Sequence, residues 1–242
     1  MKKYWLLILI TIAVVVAGVC VLLCASDIKA STIGSVVGAV GDILTALAAI
    51  WVAFVATYGL HTWKHQARTQ KYIQFMDELT DTVHEYILAM EAPIQYLKFI
   101  KISIDSHSEV ELLKQNDTKN SGIIAYIEKD GESDQVRLNQ YLDKVRSIRS
   151  RMMSLATKGQ VLGFDNYNQC YNACKMLAWS HDQIEAFASM IGSVHLNWQN
   201  DEIQQALNKV MTVDVGTIRK NLEKHNVIFL EFIKQNYRTL LT

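Results

Sequence analysis

The stretch Ile33–Trp63, IGSVVGAVGDILTALAAIWVAFVATYGLHTW, decides the fold, because it is a long apolar run carrying a single carboxylate, Asp42. About 20 apolar residues cross a hydrocarbon core roughly 30 Å thick, so this run predicts a membrane-spanning helix. Upstream, Tyr4–Cys24 is a second apolar run behind Lys2 and Lys3. Its roughly 21 residues exceed the 7–15 of a signal-peptide core, and no small residue precedes Cys20 or Cys24, so an uncleaved span is expected.

Charge separates these runs from the rest. Residues 1–60 hold five charged side chains, Lys2, Lys3, Asp27, Lys29 and Asp42. The 24 basic residues less those three lysines leave 21 downstream, and the 24 acidic residues less those two aspartates leave 22. That near balance gives no overall electrostatic case for nucleic-acid binding. The expected organisation is therefore a membrane domain over residues 1–63, with spans at about 4–24 and 33–63, and a helical domain over 64–242. Lys2 and Lys3 precede the first span, while Lys64, Arg68 and Lys71 follow the second. By the positive-inside rule both flanks are cytoplasmic, giving a multi-pass hairpin in the inner membrane with both termini inside. Tyr4, Trp5, Tyr58 and Trp63 then share the cytoplasmic interface, where amphipathic rings are favoured.

Within the second run, Gly34, Gly38, Asp42, Ala46, Ala49, Ala53 and Ala56 recur at spacings of three and four, one stripe of a helix. Small residues let helices approach closely in lipid, so the stripe is a packing or pore candidate. It could meet the first span of its own chain or a second copy. Asp42 admits two readings. A carboxylate in mid-membrane costs at least ~2.5–3.5 kcal/mol and marks a protein contact or a pore. A helix beginning near Ile43 would instead leave Asp42 at the outer boundary, stabilised by the helix dipole. The glycine-rich Ile33–Gly41 segment, a weak helix former, favours the boundary.

His61, Lys64, His65, Arg68 and Lys71 form a basic collar suited to lipid headgroups. Ile73, Met76, Leu79, Val83, Tyr86, Met90, Ile94 and Leu97 then follow helical spacing, with Pro93 expected to kink or end the helix. Residues 103–131 lose periodicity, and Asn116–Gly122 reads as a mobile loop, with Ile123–Ile127 of uncertain type. Ser133 or Asp134 should cap a helix with the stripe Leu138, Tyr141, Val145, Ile148, Met152 and Leu155. Further helices are expected from Asp165, over Val194–Met211, and after a cap at Asp214 with Ile218, Leu222, Val227 or Ile228, Phe232 and Leu240 inward. The fold class is thus all-α, a transmembrane hairpin followed by a bundle of about five helices.

Arg146, Arg149 and Arg151 lie in the densest basic segment of this region and could contact phosphate; a solvated helix face explains them more simply. Cys170, Cys174 and His181 fall on one side of a helix, but their spacing departs from paired Cys-x-x-Cys ligation, so no metal is assigned. No Walker loop, kinase set, nucleophile elbow or His-Glu-x-x-His helix is present. No catalytic residue and no cofactor are expected.

The second span, Gly41-Asp42-Ile43-Leu44-Thr45-Ala46-Leu47-Ala48-Ala49-Ile50, with Tyr58-Gly59-Leu60-His61-Thr62-Trp63-Lys64-His65-Gln66 after it, looks like that of small bacterial two-span membrane proteins with helical cytoplasmic tails. Among them it resembles the transmembrane effectors encoded beside retron reverse transcriptases in anti-phage defence operons. The likeness covers about the first third of the chain. It implies an effector held silent by a reverse transcriptase and its DNA–RNA product until infection, when it damages the inner membrane and causes abortive infection. The alternative expectation is a membrane-anchored scaffold or sensor whose helical domain binds a partner.

Overall fold

The computed structural model describes residues 30–113 and 120–241. The first expected span, residues 4–24, and most of the Asn116–Gly122 loop lie outside the described residues. Every element described is helical: α1 Ala30–Leu113, α2 Ser121–Tyr126, a π-helical turn Ile127–Gly131, α3 Glu132–Gly159, α4 Tyr167–Ile191, α5 Asp201–Met211 and α6 Val215–Leu241. The chain divides into two units, Met1–Ala67 and Arg68–Thr242.

In the first unit, helix runs without interruption from Ala30, through Gly34, Gly38 and Gly41. Asp42 is therefore not a helix-start residue, and the dipole argument for a boundary position does not apply. Isolated glycines each cost a helix only about 1 kcal/mol, too little to break one that extends on both sides. This helix is the one described that is long and apolar enough to cross a membrane, and none of its most apolar window is buried.

In the second unit, the α1 stripe lies inside: Met76, Leu79, Val83, Tyr86, Met90, Ile94 and Leu97 are all buried. Each large apolar side chain so removed from water contributes roughly 1.5–3 kcal/mol. Pro93 does not end the helix. An interior proline costs ~3 kcal/mol, but Pro93 is itself buried and Ile94, Leu97, Ile100 and Ile104 continue the stripe beyond it. The α3 stripe is buried as expected at Leu138, Val145, Met152 and Leu155, and departs at one place, where Leu142 is buried while Tyr141 is exposed. In α6, of the two alternatives, Ile228 packs half-buried against the core and Val227 is exposed, while Phe229 beside them is fully buried.

Helix ends follow local chemistry. Asn200 accepts hydrogen bonds from the amides of Glu202 and Ile203, so α5 opens at Asp201 rather than at Val194. Asp214 accepts from the Thr217 amide (2.7 Å) and caps α6 as the sequence indicates. Neither Ser133 nor Asp134 caps α3, which is entered from the π-helical turn with no side-chain cap. Gly131 fits there because a Cβ would strike the Ile191 carbonyl of α4. Between α3 and α4, Phe164 sits with its ring centroid 4.8 Å from Tyr72, 5.6 Å from Phe75 and 5.9 Å from Tyr167. The hydroxyl of Tyr72 donates to the Leu162 carbonyl (2.7 Å), tying α1 to this turn. Lys101 Nζ ties α1 to the end of α5 by donating to the Met211 carbonyl (2.5 Å).

Candidate functional site

The membrane-helix candidates present an open face. A Cβ added at Gly38 or Gly41 would meet nothing within 4 Å. Asp42, Ala46, Ala49 and Ala53 are exposed beside them, and Gly34 lies on the same helix. Around the rest of the cylinder Ile43, Ile50, Val52, Phe54, Val55 and Trp63 are each more than half exposed. A helix that is apolar all round is a membrane or interior helix, since a water-facing one keeps a polar side. The face can therefore pack against helix or lipid. Thr45 and Thr57 turn their hydroxyls back onto the carbonyls of Gly41 and Ala53, so these two polar groups are satisfied without water.

Below this stretch Lys64, Arg68 and Lys71 are exposed. Arg68 Nε donates to the Tyr72 hydroxyl (2.8 Å), and its guanidinium lies 5.2 Å from the centre of that ring. Arg68 is thus a positioned guanidinium.

The basic segment of α3 is dispersed over five carboxylate partners rather than gathered into one patch. Arg146 pairs with Asp143 of its own helix and with Glu185 of α4 (2.7 Å). Arg149 reaches Asp182 of α4 (2.7 Å). Arg151 lies 3.6 Å from Glu78 and 3.8 Å from Glu85 of α1. These contacts cross helices, which single-helix periodicity could not indicate.

The residues that composition left unremarked form a buried polar junction. Asp134 accepts hydrogen bonds from the Tyr96 hydroxyl (2.5 Å) and the Tyr126 hydroxyl, joining α1, α2 and α3. Burial, and then the bond to Asp134, pushes Tyr96 up to about 12 and Tyr126 higher still. Both phenols therefore stay protonated donors at neutral pH. His107 lies edge-on to Tyr126, with ring centroids 5.5 Å apart, and 3.7 Å from Asp130. Its other nitrogen, Nδ1, is 2.9 Å from the Ser103 carbonyl. The cysteines are plainer: Cys170 and Cys174 are buried free thiols within the α4 core, and the hydrogen bond with Cys174, then burial, pushes Cys170 up. Protonated and enclosed, Cys170 is a small hydrophobe rather than a nucleophile.

No family model, curated protein or solved structure matches the chain.

Proposed function

We propose that the chain is a non-enzymatic membrane effector of a retron-type anti-phage defence system. In this reading the small-residue face through Gly38, Asp42, Ala46, Ala49 and Ala53 assembles copies of the chain in the inner membrane. The helical domain is held by a reverse transcriptase with its DNA–RNA product, and release from those partners lets the assembly disrupt the bilayer. The observation that carries the reading is the all-round apolar, exposed helix between Ile43 and Trp63 with an open small-residue face. Asp42 supports it, since a carboxylate within a spanning helix is stabilised where it meets protein or water. The resemblance of the second span supplies the partner class.

Inducing the protein alone in a bacterium, with a potential-sensitive dye, tests this. Membrane potential and growth should collapse, and Gly38→Leu with Asp42→Leu should restore both at equal membrane expression. Retained potential with the wild-type chain in the membrane refutes the effector reading. The second reading is a membrane-anchored scaffold or sensor. It draws on the exposed apolar residues Leu88, Phe99 and Ile102 of α1, which share one face at spacings of eleven and three. It requires that an unrelated anchor in place of residues 1–63 preserve activity.

A further inference from the structure

We propose that His181, Asp182 and Glu185 of α4 bind one divalent transition-metal ion of the zinc or manganese class. His181 is buried to 1 % exposure, and neither of its ring nitrogens has a hydrogen-bond partner among the described residues. A buried polar group left unpaired costs on the order of 1–3 kcal/mol, so an unfilled Nδ1 is a poor structural element. Nδ1 points at two carboxylates, 3.5 Å from Asp182 Oδ1 and 3.9 Å from Glu185 Oε2. One ligand atom from each of the three residues lies within 4.8 Å of the other two. Donors bonded to one ion at about 2.0–2.2 Å sit roughly 3–4 Å apart, so small rotamer adjustments close the site. One imidazole with two carboxylates suits borderline and hard divalent ions rather than soft, thiolate-seeking ones. Water completes the coordination.

Arg149 and Arg146 hold the two carboxylates from outside, at 2.7 Å each. Hydrogen bonds to ligating carboxylates commonly fix their orientation, and each oxygen keeps a second lone-pair direction for the ion. The two guanidinium charges offset the two carboxylates, so affinity rests on the bonds formed and not on excess negative charge. Periodicity alone groups His181 with Cys170 and Cys174; the contacts group it with the acids on its other side.

The full chain, purified in mild detergent and stripped with chelator, is titrated calorimetrically with Zn²⁺ and separately with Mn²⁺. One ion per chain is expected. Affinity should fall at least about tenfold in Glu185→Gln, which keeps shape and the Arg146 contact, and in His181→Ala. If His181→Ala fails to fold, Glu185→Gln and Asp182→Asn decide. The double variant His61→Ala with His65→Ala should bind as the wild type does, which excludes that exposed pair. Failure of both ions to bind the wild-type chain, or equal binding by wild type and Glu185→Gln, overturns the proposal and leaves the cluster as an ion-pair network. Neither result depends on whether the protein acts as a membrane effector.

Discussion

Replacing Asp134 by alanine tests the polar junction directly. Asp134 is 8 % exposed and accepts from two phenols, so the change removes two charge-assisted hydrogen bonds at once. Tyr126 is fully enclosed, so its hydroxyl, left without an acceptor, costs about 2–3 kcal/mol. Tyr96 is half-buried, and its hydroxyl recovers part of its hydration, leaving a loss of about 1 kcal/mol. Release of a partly desolvated carboxylate returns some of this, so the net expectation is roughly 2–4 kcal/mol. Asp134→Asn keeps one acceptor oxygen but turns an amide donor toward the second phenol, and should cost about 1–2 kcal/mol. Urea unfolding of the full chain in detergent, followed by near-ultraviolet circular dichroism, reads both as midpoint shifts at constant slope. In a Tyr126→Phe background the cost of Asp134→Ala should fall by about 2–3 kcal/mol, since the orphaned donor is gone. An Asp134→Ala cost below about 1 kcal/mol, or a cycle with no coupling, refutes the reasoning.

Gly159→Ala sets propensity against packing. Alanine favours a helix by about 1 kcal/mol, yet a Cβ here runs into the Tyr167 hydroxyl and the Phe75 ring, so a net loss of about 1–2 kcal/mol is expected. A raised urea midpoint would show that the aromatic cluster yields freely. Alkali should destabilise the bundle through Tyr96 and Tyr237, each pushed up to about 12 by burial and then by its bond to Asp134 or Asp77. The unfolded phenols ionise near pH ~10, so this stabilisation is complete below that value and is lost as pH rises towards 12. Tyrosinate absorbance that develops in full near pH ~10 with structure retained contradicts this assignment.

Much of the bundle is written in the spacing of its apolar residues. The α1 stripe from Met76 to Leu97 and the α4 stripe through Cys170, Cys174, Leu177, His181 and Ile184 are buried as their periodicity indicates. The errors fall where a stripe is wider than one row. In α3, Tyr141 and Leu142 are both apolar neighbours, and only contact with a second helix chooses Leu142. In α6, Val227, Ile228 and Phe229 run consecutively, so the choice of inward residue rests on packing against α4. Of the two readings of Pro93, the helix end does not hold, because a proline is read locally whereas its cost is offset by distant burial. Helix starts were legible where the cap is bound by its own first turn, as at Asp214, and illegible at α3, whose entry is a continuous π-helical turn.

The candidate sites divide along the same physical line. The small-residue stripe needs only one helix to exist, so sequence spacing defines it as well as coordinates do. The Asp134 junction needs three helices, whereas the three ligands of the His181 cluster lie within about one turn of α4 and only the arginines on its carboxylates come from α3. Asp134 reads as a capping residue because aspartate before a helix usually is one; its burial becomes visible only when Tyr96 and Tyr126 arrive from other elements. His181 reads as a companion of the cysteines because they share its helix face, whereas Asp182 and Glu185, its neighbours on the same helix, each pair with a guanidinium group from α3. An arginine-rich helix face and an acidic face are each unremarkable alone. They converge over a buried imidazole whose nitrogens have no hydrogen-bond partner among the described residues, and that convergence is the ground for a site where chemistry, and not packing alone, would select the residues.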